Sequence, residues 1–349
     1  MLLIYIFVLV FSFYLLAVIC EDFFVSSLDI ISSKLKLSSD VAGATLMAVG
    51  SSAPELFTAL FAVLRPGDHA DIGAGTIVGS AIFNILVIIG ASSAFRKAKL
   101  TWQPVIRDLL FYIVTIILLL ASFWDGQIVL AEALTFLGMY VIYIIAVTQW
   151  KKILPYSDVD PIELIESETK RNKLAIASKQ LLGLIIPDPI KKPKLFLVTF
   201  FLSILGLAGL SFLLVEAAVG IGDILHINPT LIALTVLAAG TSIPDLLSSI
   251  IVAKQGRGDM AVSNAVGSNI FDILFGLSVP WLIVLTMKGG VIKVGTDNLI
   301  GSVFLLFATV VAILFILITR KWTIGKYAGF FLIGLYVLYI IYTAFSLLG

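Results

Sequence analysis

Apolar residues recur along the whole chain in runs long enough to cross a bilayer, and polar residues are gathered between these runs. A hydrocarbon core of roughly 30 Å needs about 20 consecutive apolar residues in helical form. Helices are expected because lipid offers the backbone no other hydrogen-bond partner. The pattern predicts ten spans, at 2–20 with an amphipathic extension to about 33, 40–64, 72–94, 106–124, 127–148, 195–224, 229–253, 260–286, 299–319 and 327–348.

One long polar stretch, residues 149–194, interrupts this pattern and divides the spans into five and five. It predicts a first five-helix unit over 1–148, a linker loop over 149–194 and a second five-helix unit over 195–349. A surface helix over IELIESETKRNKLAIASKQLLGLI (162–185) is an alternative, but the linker is interpreted as plain solvated chain. The first 20 residues have no basic segment, and their apolar run is longer than a signal-peptide core, so they are interpreted as the first span.

Composition agrees with an all-α integral membrane protein. The 349 residues are 60% hydrophobic and 13% charged, with a mean hydropathy of +1.11, whereas soluble domains are about a quarter charged. One cysteine and two histidines exclude a disulfide framework and argue against zinc or haem. We expect the lipid bilayer as a partner, and neither a cofactor, nor an enzymatic activity, nor a nucleic-acid partner.

The basic residues predict an orientation, because Lys and Arg are retained on the cytoplasmic side of a membrane. With the N-terminus outside, all but Arg65, Lys288 and Lys293 of the 23 Lys and Arg residues lie in inner loops, and Arg107 is counted among them. The linker is then cytoplasmic. The plasma membrane is the expected location.

The two halves repeat each other in sequence. TLMAVGSSAPELFTAL (45–60) aligns with TVLAAGTSIPDLLSSI (235–250), and GTIVGSAIFNILVIIG (75–90) aligns with SNAVGSNIFDILFGLS (263–278). Each unit holds an odd number of spans, so the second would enter the membrane from the opposite face. Inverted-topology repeats with a binding site near the midplane are typical of secondary transporters.

The first repeated block contains a proline followed by an acid in each half. Pro54 has no N–H for the carbonyl of Gly50, and Pro244 has none for that of Gly240. Exposed carbonyl oxygens are therefore expected one turn from the acids, and they are tolerated in a membrane where they line a cavity or bind something.

Hard cations suit this set of oxygens, since calcium takes six to eight oxygen ligands from carboxylates, carbonyls and hydroxyls. The first blocks offer two acids, four hydroxyls and nearby carbonyls, and the second blocks add further hydroxyl, amide and carboxylate groups. The candidate ligands are Glu55, Asp245, Ser51, Ser52, Thr241, Ser242, the carbonyls near Ala48 and Ala238, Ser80, Ser268, Asn84 and Asp272, with Asn269 beside them.

Charge balance points to ion exchange. We expect no Lys or Arg in the interior of any span, which leaves Glu55, Asp245 and Asp272 without basic partners. Such acids must be protonated or neutralised by bound cations. A site neutralised in turn by one divalent ion or by several monovalent ions exchanges them. Gly79 and Gly267 are expected to be helix-contact residues, Glu216 to be interfacial and Cys20 to have no role.

These blocks resemble a known family. DVAGATLMAVGSSAPELFTALF and LTVLAAGTSIPDLLSSIIVAKQGRGDMAVSNAVGSNIFDILFGLSVPW are similar to the two alpha-repeats of the sodium/calcium exchanger family. Within the family they most resemble the potassium-dependent exchangers, as does CEDFFV ahead of the first repeat. The similarity is dense over about 20–94 and 229–281 and architectural elsewhere.

The resemblance implies a fold, a mechanism and roles for particular residues. It implies ten helices in two inverted repeats, with the first and sixth sliding against a core to give alternating access. Glu55 and Asp245 would be central calcium ligands that also serve sodium. The other implied positions are Ser51 and Thr241 at calcium, Ala48, Ser52, Ser80, Ala238, Ser242 and Ser268 around sodium, and Asn84 with Asp272 as a flanking midplane pair.

Potassium coupling stays open in this resemblance. In the potassium-dependent branch an aspartate at the position of Asp272 goes with potassium transport, whereas animal potassium-independent exchangers have asparagine there. Microbial members also carry the aspartate. The large cytosolic calcium-sensing domains of animal exchangers have no counterpart here, so regulation of that type is not expected.

Two other functions are alternatives to sodium/calcium exchange. A calcium/proton antiporter of the same superfamily would use protonatable acids, but that branch usually carries Gly-Asn-Ala-x-Glu, where this chain has serines and prolines. An intramembrane aspartyl protease is a remote alternative, because GRGD at 256–259 fits Gly-x-Gly-Asp while the chain has no Tyr-Asp dipeptide.

Overall fold

The computed structural model describes residues 1–35, 39–65, 70–156, 173–227, 229–254, 256–295 and 299–348. These residues are almost entirely helical. The helices of the first half are α1 (Leu2–Ile19), α2 (Ser26–Leu35), α3 (Ser39–Ala42), α4 (Ala48–Ser51), α5 (Ala53–Leu64), α6 (Ala70–Phe83), α7 (Ile89–Phe95), α8 (Trp102–Phe123) and α9 (Leu130–Ile153). The remaining helices are α10 (Lys173–Leu182), α11 (Phe196–Leu225), α12 (Pro229–Ile232), α13 (Ala238–Thr241), α14 (Ile243–Lys254), α15 (Gly258–Phe271), α16 (Ser278–Lys288), α17 (Leu299–Thr319) and α18 (Lys326–Leu348).

Nine spans in the described ranges are long and apolar enough to cross a membrane. A tenth is obtained if Asp40–Ser51 and Ala53–Leu64, which meet at an angle of 44°, count as one span. The expected ten spans agree with this upper figure, and their ends mostly fall within a few residues of those observed. The protein is therefore an integral membrane protein built from helices.

In the part of the chain that the structure describes, five π-helical segments are inserted within the spans. They are Cys20–Val25, Gly43–Met47, Asn84–Ile88, Ala233–Leu237 and Asp272–Leu277. Four of them form two pairs at equivalent places of the repeated blocks. Since π-helical turns widen the backbone and are frequent at functional sites, these segments mark the part of the membrane core where chemistry is expected.

Two very short antiparallel ladders tie together turns that are distant in sequence. Strand β1 (Ala98–Lys99) pairs with β4 (Thr323–Ile324), and β2 (Gln127–Ile128) pairs with β3 (Ile292–Lys293). Ala98 faces Ile324 in the first ladder, and Ile128 faces Ile292 in the second. Each ladder joins the end of a span from one half to the end of a span from the other.

Glycines allow the two halves to approach closely at the centre. A Cβ atom on Gly79 of α6 would lie 2.4 Å from the carbonyl oxygen of Leu234 and 2.7 Å from Cβ of Ala238. A Cβ atom on Gly267 of α15 would lie 2.9 Å from both Cα and the carbonyl oxygen of Ala44. The expectation that both glycines are helix-contact residues is confirmed, because any side chain would force the backbones apart.

The linker contains a helix, which corrects the interpretation of 149–194 as plain solvated chain. Helix α10 lies beside α1, where the hydroxyls of Ser178 and Tyr14 are 3.1 Å apart. The Lys179 ammonium is 3.4 Å from a carboxylate oxygen of Asp22 and 3.6 Å from one of Asp188. Polar pairing and apolar contact make α10 part of the folded body. Residues 157–172 of the linker lie outside the described residues.

Arg107 also corrects an expectation, because it lies inside a span and not in a loop. Helix α8 begins at Trp102, four residues before the predicted start at 106, so Arg107 occupies its second turn and is completely buried. Its Nε and Nη2 donate to the two carboxylate oxygens of Asp108 over 2.7 and 3.1 Å, and its Nη1 lies 3.3 Å from Asp40. The charge is tolerated there because neighbouring acids compensate it.

Candidate cation site

Two interrupted spans, 39–64 and 229–254, position the central acids. In each, a π-helical segment leads into one turn of α-helix, and the turn ends at a serine with φ and ψ near −88° and 5° at Ser52 and −81° and 3° at Ser242. A new helix starts at the next residue, with its proline in the first turn, where the missing N–H costs nothing. Glu55 and Asp245 therefore stand in the first turn of α5 and α14.

All twelve predicted site residues are completely buried. The two spans face each other, since the Ser242 hydroxyl donates to Oε1 of Glu55 over 3.2 Å, although 187 residues separate them. Thr241 also lies beside Glu55, and Ser51 lies beside Asp245. Each acid is thus approached by a hydroxyl residue from the opposite half of the chain.

The second repeated blocks complete the surroundings of Asp245. The Ser268 hydroxyl donates to Oδ1 of Asp245 over 3.0 Å, and Nδ2 of Asn84 lies 3.3 Å from Oδ2. Asn84 in turn is held by Oδ1 of Asn269 at 2.9 Å, while Nδ2 of Asn269 donates to the Tyr112 hydroxyl at 2.9 Å. Tyr112 was not anticipated from the sequence, because a tyrosine in an apolar helix is most often a packing residue.

The hydroxyls at 51 and 241 direct their protons along their own helices. Ser51 donates to the Met47 carbonyl over 2.8 Å, and Thr241 donates to the Leu237 carbonyl over 3.0 Å. A hydroxyl has two acceptor lone pairs besides its single proton. With the proton used locally, the oxygen is left to accept, which is the property required of a ligand for a hard cation.

Several buried acceptor oxygens near the acids have no hydrogen-bond partner among the described residues. They include Oε2 of Glu55, Oδ1 of Asn84 and both carboxylate oxygens of Asp272. Asp272 lies within electrostatic range of Glu55 and Asp245, beside the hydroxyls of Ser52 and Ser80. Buried oxygens without donors are costly unless a cation satisfies them.

Positive side chains do not neutralise this cluster. Among the salt bridges of the described residues, Arg107 pairs with Asp108 and Asp40, and Arg65 pairs with Glu216, while Glu55, Asp245 and Asp272 take part in none. The expectation that no basic residue lies within a span is therefore wrong for Arg107. Within the described residues, the other part of the expectation holds, because the three site acids have no basic partner.

A metal site made of acids alone is not found in the described part of the chain, since no group of three or more His, Cys, Asp or Glu side chains there has metal-site geometry. Hydroxyl, amide and carbonyl oxygens would therefore have to contribute ligands.

Cys20 and Asp259, which were not predicted to belong to the cation site, each make a specific polar contact. The thiol of Cys20 lies 3.5 Å from the carbonyl oxygen of Gly50, the carbonyl for which Pro54 has no N–H. Asp259, the acid of the GRGD string, accepts hydrogen bonds from the backbone N–H and the hydroxyl of Thr101, each over 2.8 Å. Asp259 therefore caps the start of α8, which leaves no structural support for the protease alternative.

The fold and the site define a helical membrane protein with a buried, oxygen-lined acidic centre. Comparison with known proteins identifies its family. The family model for sodium/calcium exchanger proteins matches residues 5–149 and 195–345, and the chain belongs to this family. The segment between the two matched regions falls within the predicted linker.

Several similar proteins are named sodium/potassium/calcium exchangers. Sodium/potassium/calcium exchanger 2 of Gallus gallus is 31% identical, with 95% of this chain and 76% of that protein covered. The Homo sapiens protein of the same name is 30% identical with the same coverage. A solved structure of the sodium-calcium exchanger NCX_Mj, soaked with Na⁺ and Sr²⁺, has a TM-score of 0.63 at 24% identity and covers 98% of this chain and 99% of its own, which establishes a similar fold.

Proposed function

We propose that this protein exchanges sodium for calcium across the membrane by alternating access. The observation that carries the proposal is the pairing of Glu55 and Asp245 from the two interrupted spans, completely buried and without a basic partner among the described residues. Calcium neutralises two carboxylates at once, and sodium ions neutralise them singly. Either loading state leaves little bare charge in the membrane.

Site roles follow from the contacts. Glu55 and Asp245 supply the charge for calcium, and the oxygens of Ser51 and Thr241 complete its coordination. Sodium ions use the same acids together with neighbouring hydroxyl and carbonyl oxygens. That second group consists of Ala48, Ser52, Ser80, Ala238, Ser242 and Ser268, with Asn84 and Asp272 flanking the centre.

Two inverted repeats of five spans each account for this arrangement. Equivalent positions carry the prolines, the acids, the close-contact glycines and four of the π-helical segments, which supports a repeat over 1–148 and 195–349 with a linker over 149–194. An odd number of spans per repeat inverts the second relative to the first. The distribution of Lys and Arg supports an N-terminus outside and a cytoplasmic linker, and the plasma membrane is the proposed location.

Potassium is co-transported with calcium in this proposal, with Asp272 as its acidic ligand. Asp272 is buried beside the hydroxyls of Ser52 and Ser80, and within the described residues neither of its carboxylate oxygens has a partner in hydrogen-bond geometry. Several of the similar proteins are named sodium/potassium/calcium exchangers. A carboxylate surrounded by neutral hydroxyls suits a monovalent cation better than a second divalent one.

Transport in liposomes tests the exchange directly. Purified protein with sodium inside the vesicles and calcium with potassium outside should accumulate calcium, and Glu55→Gln or Asp245→Asn should abolish the uptake. Asp125→Asn, in the turn between α8 and α9, is a matched control that should transport normally. Uptake driven by a proton gradient and indifferent to sodium would reject sodium coupling and favour the calcium/proton alternative.

A further inference from the structure

Polar residues continue past the central site along one pair of helices. On α15, Asn264 and Ser268 are four residues apart, and Asp272 follows at the same interval directly after the helix, so the three share one face. On α14, Ser249 follows Asp245 at the same interval. Ser249 and Asn264 are both completely buried. A polar strip therefore extends one helical turn from Asp245 toward the C-terminal end of α14.

Asn264 contacts both Ser249 and the central acid. Its Nδ2 lies 3.0 Å from the Ser249 hydroxyl and 3.5 Å from Oδ1 of Asp245. Its Oδ1 is buried and has no hydrogen-bond partner in the described part of the chain. A buried amide oxygen without a donor is unfavourable, so packing alone does not explain why an asparagine stands at position 264.

The equivalent place in the other half has a different character. The repeat alignment places Ala59 opposite Ser249 and Thr76 opposite Asn264. There the helices close tightly, since a Cβ atom on Gly73 would lie 3.0 Å from Cα of Ala59, and the Thr76 hydroxyl donates to the Ile72 carbonyl within its own helix. Only one of the two helix pairs therefore carries the polar extension, so the repeat alone does not account for it.

We propose that Asn264, Ser249 and Asp245 form a subsite for a monovalent alkali cation beside the shared centre, on the side of the C-terminal end of α14. The inference rests on the proposed exchange function. A half-turn of the Asn264 amide exchanges its nitrogen for its oxygen with almost no change of volume. Oδ1 of Asn264, the Ser249 hydroxyl and Oδ1 of Asp245 would then lie next to one another as three oxygen ligands. One carboxylate with two neutral oxygens matches a single positive charge.

Asp245 joins this subsite to the centre through its two carboxylate oxygens. Oδ1 faces Asn264 and Ser268, whereas Oδ2 faces Asn84. A cation at the subsite thus stands one step from the exchange site and shares its acid.

Thermal stability of the purified protein in alkali chloride, against choline chloride at equal ionic strength, measures binding without transport. Sodium and potassium are titrated separately to identify the ion. Ser249→Ala, which installs the residue found at the equivalent Ala59, should raise the half-saturating alkali concentration about tenfold. Asn264→Asp should lower it, because the variant keeps an oxygen there and adds charge. Thr76→Val is the matched control and should behave as wild type.

A purely structural role for Asn264 predicts the opposite result. If it only donates to Asp245, Asn264→Asp sets two carboxylates against each other and loses the alkali-dependent stabilisation, which would overturn the subsite. Wild-type alkali dependence in Ser249→Ala would overturn it as well, and that variant preserves the test if Asn264→Asp does not fold. Failure of the exchange function is distinguishable, since it appears as absent sodium-driven calcium uptake in the wild type.

Discussion

Ser242 donates a hydrogen bond to Glu55 from the opposite half of the chain, over 3.2 Å. A second contact runs in the opposite sense, because Nδ2 of Asn84, in the first half, lies 3.3 Å from Oδ2 of Asp245, in the second. Each acid is therefore oriented by a polar residue that its own half does not provide. The site exists only when both halves are packed together, which links any movement between them to the geometry of the acids.

Removing the Ser242 hydroxyl should weaken ion binding without unfolding the protein. Ser242→Ala takes a donor from Glu55 and an oxygen from the proposed sodium ligands, so the half-saturating sodium concentration should rise about tenfold. Ser248→Ala is the control, because that hydroxyl donates to the backbone carbonyl of Asp245 over 3.1 Å. Sodium titrations of calcium uptake compare the two, and equal effects would contradict the assigned role of Ser242.

Gly79→Ala should destabilise the protein by about 1–3 kcal/mol, the usual cost of overpacking. The added methyl would meet the Leu234 carbonyl oxygen at 2.4 Å, and this oxygen belongs to backbone that cannot rotate away. Gly138→Ala in α9 is the matched control, since nothing lies within 4 Å of its Cβ position. The melting temperatures in detergent should fall for the first and stay level or rise for the second. A Gly79→Ala protein as stable as wild type would show that α6 and the 233–237 segment separate at little cost.

The sequence predicted the spans well because the length of an apolar run is a direct physical requirement of the bilayer. It did not predict the π-helical segments, since these depend on a shift of hydrogen-bond partners that leaves composition and length unchanged. Arg107 was misplaced for a related reason. Hydropathy alone places the end of a span at an arginine. Inside the helix, however, the adjacent Asp108 compensates the charge of Arg107 through an ion pair.

The candidate site was predictable because proline, acid and hydroxyl residues recur at equivalent places of two repeats. Burial of all twelve residues agrees with that prediction, while their roles as ligands remain predictions. Asn264 and Ser249 were missed because each looks like an ordinary polar residue of a membrane helix. Their spacing of four from Ser268 and Asp245 was the available signal, and it acquires meaning only once α14 and α15 are known to face each other.

Arg107→Met should be strongly destabilising, by about 3–5 kcal/mol, because it leaves the buried Asp108 without its partner. Adding Asp108→Asn to this variant should recover part of the loss by removing the stranded charge. Arg65→Met provides a contrast, since Arg65 and Glu216 form a partly exposed pair with side chains 23% and 40% accessible. Breaking an exposed pair costs about 0–1 kcal/mol. Thermal melting of the three variants measures these differences, and similar losses for Arg107→Met and Arg65→Met would contradict the assignment of Arg107 to the core.

Asp272→Asn should remove the dependence of calcium uptake on potassium while leaving sodium-driven uptake in place. The carboxylate is completely buried, and both of its oxygens lack hydrogen-bond donors in the described structure, so its charge is available to a cation. The amide has nearly the same shape but no charge, and it should no longer hold a monovalent ion in competition with water. The measurement is the initial rate of calcium uptake over a potassium series on the calcium side, with Asp125→Asn as control. A wild-type rate that is unchanged without potassium would remove potassium from the transport cycle, whereas potassium dependence retained in Asp272→Asn would move its site to other residues.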